Sequence, residues 1–302
     1  MITVQVAPTS ANLGPGFDCL AVSLDLGDIC MQTTFETGGE GISVSPQGWG
    51  KESLPKDSTN LVARSFLHFA SLKGLPLPSG LNIHSTNGIP IGSGLGSSAA
   101  AIVSGLLAAR EHYAISTSMD ELVNMALELE GHADNTTAAL LGGLLVLTVQ
   151  DGTVIYRRYP AARLPVQVVR PDFGLTTKAA RQALPRQVSF KNAISNLGNT
   201  ALLVEALRSG DIDLLGKVCR DNLHQPSRLP LIPGAYQAVQ AGLAAGAAAV
   251  VLSGAGPSLL AFAPRNQDDI ARAMQEGFKK AGLESSAFFG WVSNKAARVQ
   301  KS

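Results

Sequence analysis

Pro90-Ile91-Gly92-Ser93-Gly94-Leu95-Gly96-Ser97-Ser98-Ala99-Ala100 is the stretch on which the reading of this chain turns. Glycines at alternating positions let a backbone turn tightly and approach a ligand closely, and their N–H groups can converge on an anion. From Ser97 to about Tyr113 the sequence is rich in alanine and leucine, with Gly105 as its one breaker. That composition predicts a helix beginning where the loop ends, so that the unpaired N–H groups of its first turn face the same anion. Leu81 and Ile83 predict a short strand leading into the loop. A Walker loop would need Lys beside Ser/Thr, and no lysine occurs between Lys73 and Lys178. A dinucleotide fingerprint needs G-x-G-x-x-G and a later acidic residue; here the pattern is G-x-G-x-G and a serine pair. A glycine-rich turn without a ligand is the competing reading. The serine pair, the helix start and two further glycine motifs weigh against it.

Working outward, strands and helices alternate. Ile2, Val4 and Val6 predict a first strand by period-two alternation, and Met1–Val6 lacks the basic and long apolar segments of a signal peptide. Ser118 and Glu121 form an S-x-x-E capping box ahead of Leu122, Val123, Met125, Ala126 and Leu129, a helix expected to end near Gly131. Leu144–Val149, Asp151-Gly152 and Val154–Tyr156 predict a hairpin. Tyr159–Pro165 reads as a boundary, giving a first lobe over residues 1–160 and a second over 161–302. The second opens with a strand at Val166, Val168 and Val169. No charged residue occurs between Arg228 and Arg265, but Pro and Gly break that run into pieces too short to span a membrane. It reads as a buried helix, a turn, a strand, a glycine turn and another strand.

The 302 residues are 45% hydrophobic and 16% charged, with a formal net charge of +1. Basic and acidic residues are mixed along the chain, which argues against a nucleic-acid binder or a polybasic membrane patch. Cys19, Cys30 and Cys219 are sparse, odd in number and without a metal-knuckle spacing, as expected of buried thiols in a reducing cytoplasm. The class expected is α+β with two lobes and a ligand site between them.

Pro90–Ala100 resembles the phosphate-binding motif of the GHMP kinases, the family that phosphorylates galactose, homoserine, mevalonate and phosphomevalonate. Pro8-Thr-Ser-Ala-Asn-Leu-Gly-Pro-Gly-Phe-Asp-Cys-Leu20 is similar to the family's first motif in the form its homoserine-phosphorylating members carry. Ser253-Gly-Ala-Gly-Pro-Ser-Leu-Leu260 is similar to its third. Three motifs in order span nearly the whole chain. The resemblance implies a ribosomal protein S5 domain 2-like N-terminal lobe, a ferredoxin-like C-terminal lobe and ATP between them. It implies phosphorylation of the L-homoserine hydroxyl, a step of threonine biosynthesis, by a cytoplasmic enzyme, and it allows a homodimer.

Phosphoryl transfer asks for positioning and charge neutralisation more than covalent work. Mg²⁺ takes few protein ligands, and the resemblance gives those roles to Ser98 and Glu130. Glu128, two residues away, should point elsewhere on the helix. Glu130-Gly131-His132-Ala133-Asp134-Asn135 resembles a segment beside the reacting hydroxyl. Asn135 is the expected substrate contact; Asp134 is either a general base or a turn residue bonding its own backbone, and His132 alone reads as structural. Asn60 stands where the family contacts adenine, or equally as a helix N-cap. A zwitterion needs an anion for its ammonium and cationic forks for its carboxylate. Asn12, Asp18, Thr177, Arg181 and Arg228 fill those places by resemblance. Ala21 and Thr136-Thr137 depart from the family's usual residues. The alternatives are a mevalonate or sugar kinase of the same family, or a catalytically inert metabolite-binding regulator on this fold.

Overall fold

The computed structural model describes residues 1–301. Its first half runs β1 (Ile2–Val6), β2 (Thr9–Asn12), β3 (Gly16–Asp25), β4 (Met31–Thr37), β5 (Gly41–Gly48), α1 (Leu61–Leu72), β6 (Gly80–Asn87), α2 (Ser97–Tyr113), α3 (Met119–Glu130), α4 (Asp134–Leu141), β7 (Leu144–Gln150) and β8 (Thr153–Tyr159). The second half runs β9 (Pro165–Pro171), α5 (Thr177–Gln182), α6 (Phe190–Ser209), α7 (Ile212–Val218), α8 (Gln225–Arg228), a 3₁₀ turn, α9 (Ala235–Ala244), β10 (Ala249–Leu252), β11 (Leu259–Phe262), α10 (Gln267–Lys279), β12 (Ser285–Ser293) and β13 (Arg298–Lys301). The expected α+β class holds.

Local chemistry sets the elements that frame the site. Ser118 and Glu121 cap α3 reciprocally, and Gly131 ends it in the left-handed region at φ 81°, a conformation that glycine adopts without penalty. The β7–β8 hairpin turns on Asp151 and Gly152, both at positive φ, as a two-residue turn matched to strand twist requires. Helix α2 carries buried side chains on every side for most of its length, so it is the central rod of the first half rather than an amphipathic surface helix.

Five strands form one sheet in the order β13-β1-β4-β6-β5; the larger sheet runs β10-β11-β9-β12-β3-β7-β8, with β2 pairing β3. The long strand β12 joins the halves, pairing with β9 on one side and β3 on the other. The terminal strand β13 returns to pair with β1. One apolar core fills the first half and continues under β9, β11 and α6. A second, around Ile232, Ala238, Ile270, Met274 and Phe278, sits between α9, α10 and the outer face of β9–β11. Helix and sheet packing thus fixes both walls of the cleft that separates the phosphate loop from β9 and α5. Among the described residues no helix is long and apolar enough to cross a membrane.

Candidate active site

The three glycine motifs come together. Thr9 N–H donates to Leu95 O (3.1 Å), Gly254 N–H to Ala11 O (3.0 Å) and Ser258 N–H to Ser93 O (3.2 Å). Asn12 Nδ2 donates to Gly254 O (2.8 Å), and Ser253 Oγ lies 2.7 Å from Gly94 O and 2.9 Å from Ser10 Oγ. Gly94, at φ 80°, has no room for a Cβ, which would fall 2.1 Å from the Ser253 carbonyl. Gly92, at φ 62°, has open space where its Cβ would be, and it lines a cavity of about 640 Å³. The loop is therefore clamped from behind at Gly94 and free in front at Gly92.

Of the loop, Ile91, Gly92, Ser93, Gly94, Gly96, Ser97 and Ser98 line the cavity. Pro90, Leu95, Ala99 and Ala100 are buried behind it. Asn60 caps α1, with Oδ1 accepting from Val62 N–H (3.0 Å) and Nδ2 donating to Pro55 O (2.7 Å); it lies outside the cavity lining with both amide atoms engaged. Asn12, Asp18, Glu130, Asp134, Asn135, Thr177, Arg181 and Arg228 all line it. The sequence places these residues up to 216 positions apart along the chain, and the fold brings them around one cavity.

At one end, Ser98 Oγ donates to Glu130 Oε1 (2.5 Å). Burial pushes the Glu130 carboxyl up, against the pull of that hydroxyl and of His132. Glu128 points away, onto His68 at 3.0 Å. A buried carboxylate short of positive charge beside a helix-terminal hydroxyl fits a small divalent cation that takes its remaining ligands from phosphate and water. Next along, Asn135 lies at the start of α4, its Oδ1 accepting from Thr9 Oγ1 (2.8 Å) and its N–H donating to Asp134 Oδ1 (2.7 Å). His132 Nδ1 approaches Asp134 Oδ1 at 3.2 Å without hydrogen-bond geometry. Burial alone would lower the imidazole's pKa, but Asp134 and Glu130 outweigh it and hold it above its ordinary value.

The other end is a charge cluster. Arg181 grips Asp18 through both Nη atoms at 2.9 Å, and that bridge raises its pKa against the cost of burial. Arg228 is only 1% exposed. Its Nε donates to Ala180 O (3.2 Å), and its Nη1 lies 3.4 Å from His224 Nδ1 and 3.5 Å from Gly254 O. His224 Nε2 lies 2.8 Å from Gly14 O, so the proton sits on Nε2 and Nδ1 is free to accept from Arg228. The Phe17 ring stacks on His224 and lies beneath Arg228, 4.9 Å from its Cζ. Burial, then repulsion from Arg181, pulls the Arg228 pKa down. No described carboxylate reaches Arg228 within ion-pair distance. It is a buried guanidinium with neutral acceptors and no anion.

Sequence reading passed over Thr9, Phe17 and His224. Thr9 and Phe17 lay inside the quoted first motif. The spacing of His224 and Arg228, four apart, was the one signal of their helical neighbourhood.

Both family models for this architecture match the chain: GHMP kinases N terminal domain over residues 60–143 and GHMP kinases C terminal over residues 203–280. The chain belongs to the GHMP kinases and is an ATP-dependent kinase acting on a hydroxyl group. Within that family its relatives are homoserine kinases. That of Moorella thermoacetica is 40% identical, covering 94% of this chain and 95% of that protein. That of Desulfitobacterium hafniense is 35% identical, over 99% and 100%. The crystal structure of homoserine kinase from Cytophaga hutchinsonii superposes with a TM-score of 0.88 at 30% identity, covering 99% of this chain and 97% of that one. The likeness to L. major mevalonate kinase, at 18% identity and a TM-score of 0.65, shows the shared fold.

Proposed function

We infer that this chain transfers the γ-phosphoryl group of ATP to the side-chain hydroxyl of L-homoserine, giving O-phospho-L-homoserine and ADP. The observation that carries the reading is the charge layout of the cleft. The glycine-rich loop and the Ser98–Glu130 pair line the cavity, and so do a carboxylate and two guanidiniums, Asp18, Arg181 and Arg228. A substrate bridging them has a hydroxyl at one end and a zwitterion at the other. A mevalonate or sugar lacks the ammonium that Asp18 would meet.

In this reading Arg228 and Arg181 take the substrate carboxylate as forks, and Asp18 takes the ammonium. Asn135, whose Oδ1 is fixed by Thr9, turns its amide toward the reacting hydroxyl. Asp134 spends Oδ1 on Asn135 and His132 and so orients them. The hydroxyl oxygen attacks the γ-phosphorus as the bond to the β,γ-bridging oxygen breaks. A loose transition state leaves the attacking oxygen's proton in place until late, so the proton passes to an oxygen of the transferred phosphoryl group, and on to solvent, without needing a strong base. The loop N–H groups and the first turn of α2 hold the phosphates. Ser98 and Glu130 would hold Mg²⁺, which neutralises charge on the transferring group.

A coupled ADP-release assay tests the reading with L-homoserine, 4-hydroxybutyrate, mevalonate and galactose. Homoserine should be turned over with a kcat/KM at least tenfold above 4-hydroxybutyrate, the analogue without an ammonium. Equal use of the two, or preference for mevalonate, would overturn the substrate while leaving the family intact.

A further inference from the structure

Three arginines line the cleft, and the reading above uses two of them. The third, Arg170 on β9, lines the same cavity as Ile91, Gly92 and Ser93 of the glycine-rich loop, from the facing wall. Its Nε is buried with no hydrogen-bond partner. The nearest carboxylate, Asp172, is 3.9 Å from Nη2 and turned to solvent, 80% exposed. The guanidinium lies instead over the Trp49 ring, 4.9 Å from Cζ to the centroid, although that indole is 43% exposed.

Trp49 belongs to the opposite wall. It follows β5, and its backbone is anchored to the strand before the phosphate loop: its N–H donates to Asn87 O (2.8 Å) and its carbonyl accepts from Asn87 Nδ2 (3.3 Å). The same Nδ2 donates to Ser97 Oγ (3.1 Å), at the first residue of α2. Ile91 packs against the adjoining Gly50, where a Cβ would meet its Cδ1 at 2.1 Å. The aromatic platform and the loop are therefore one rigid body, and Arg170 reaches it from the other half of the chain.

A guanidinium on an exposed ring is weakly held compared with one on a phosphate. The reading above gives the cleft's other arginines to the amino-acid substrate: Arg181 pairs with Asp18, and Arg228 is buried among backbone carbonyls. The loop itself carries no cationic side chain. We propose that Arg170 is a polyphosphate contact, resting on Trp49 when the nucleotide is absent and drawn onto its phosphate oxygens when it binds. The proposal rests on the reading that ATP occupies this cleft.

Trp49 reports the exchange. The chain has two tryptophans, so Trp291→Phe leaves Trp49 as the one emitter. Its emission should change on adding ATP or inorganic tripolyphosphate and stay constant with adenosine. Arg170→Met should abolish the response and raise the KM for ATP about tenfold or more. The KM for homoserine at saturating ATP should stay within twofold, and Arg170→Lys should recover part of the ATP effect. An equal response to adenosine would make Trp49 a base-stacking platform and overturn the proposal. So would an ATP KM within twofold of the parent in Arg170→Met. A parallel rise of both KM values with a lowered Tm would reduce Arg170 to a tie between the two walls, and overturn it also. If homoserine is not phosphorylated but the phosphate-dependent emission change persists, the substrate reading fails and this one stands.

Discussion

Replacing Arg228 with methionine should separate binding from folding. In the substrate-free protein this guanidinium is 1% exposed, meets two backbone carbonyls and one imidazole nitrogen, and has no anion. Burying an unpaired charge costs several kcal/mol, and its weak hydrogen bonds and the Phe17 contact return only part of that. Arg228→Met removes the burial cost. It leaves Ala180 O without this donor, at about 1–3 kcal/mol, while Gly254 O keeps its bond from Asn12. The two changes oppose each other, so the stability of the substrate-free protein should move by no more than about 1–2 kcal/mol, in either direction. Homoserine binding should suffer far more. Truncating one partner of a buried, hydrogen-bonded charge pair costs about 2–5 kcal/mol, and Arg181 remains nearby to take part of the carboxylate's charge. The lower end, about 2–3 kcal/mol, corresponds to a rise of roughly 30- to 150-fold in homoserine KM. Arg228→Lys keeps the charge without the fork and should fall between parent and methionine variant. Differential scanning calorimetry with and without homoserine, beside steady-state kinetics, reads both sides. The ligand-induced rise in Tm at a fixed homoserine concentration should shrink in Arg228→Met, and return only at a roughly 30- to 150-fold higher concentration. A large loss of stability without substrate, with homoserine KM unchanged, would show that the arginine is a structural strut. An ATP KM rising in step with that of homoserine would show that it does not discriminate the two sites.

Three further outcomes follow from the same geometry. Glu130→Gln should weaken apparent Mg²⁺ affinity by more than the roughly 10–100-fold that loss of an outer-shell partner costs, with an unchanged circular dichroism spectrum; near-normal turnover at ordinary Mg²⁺ would remove the carboxylate from the metal site. Gly92→Ala should lose ATP affinity at a fold cost of only about 1–2 kcal/mol for its left-handed backbone, whereas Gly94→Ala, with its Cβ against the Ser253 carbonyl, should lower Tm by several degrees more; titration calorimetry and thermal melts separate the two. Glu121, fully exposed, is pulled from 4.5 to about 2 by Lys73 and then by Ser118; a depressed carboxyl stabilises above its unfolded pKa and loses that contribution as pH falls through the folded one, so the Tm difference between the parent and Glu121→Gln should be constant above pH 5 and close between pH 4.5 and 2.

What could be read in the sequence was what is local. The capping box of α3, the Asp151-Gly152 turn and the helix from Ser97 to Tyr113 stand where period, cap and turn chemistry put them, because each depends on residues within a few positions. The phosphate loop was legible for the same reason, but its mechanics were not. At Gly94 the space for a Cβ is closed by the Ser253 carbonyl, 159 residues away. Asn12, Leu13 and Asp18 adopt positive φ, a strain that no propensity signals and that is held by Asn12 bonding both Gly254 O and Asp18 N–H. The support beneath Arg228 is built from Phe17, Gly14 and Gly254, on segments that share no periodicity with α8. Pairings of this kind are chosen by tertiary packing, and a single sequence carries no local trace of them.

In the proposed reading, the Asp18–Arg181 bridge and Arg228 divide the work of binding a zwitterion. The two groups suited to its opposite charges hold each other in the substrate-free protein, through two 2.9 Å hydrogen bonds. Both side chains are more than a third exposed, so the bridge contributes only about 0–1 kcal/mol and is easily exchanged. A substrate that takes an oxygen from Asp18 and a nitrogen from Arg181 therefore trades like for like and gains little there beyond correct orientation. Arg228 is different. No carboxylate among the described residues pairs with it, Asp18, Asp134 and Asp221 acting only from a distance, and a carboxylate arriving beside it meets a cation already buried. Net affinity is then concentrated on the buried arginine, and selectivity against neutral or anionic alcohols on the exchangeable pair. A hydroxy acid without an ammonium could still reach Arg228, but it would strand Asp18 once Arg181 turned to the carboxylate. The charge-assisted hydrogen bond of an ammonium to Asp18, about 1.5–3 kcal/mol, which 4-hydroxybutyrate cannot make, is what should separate homoserine from it.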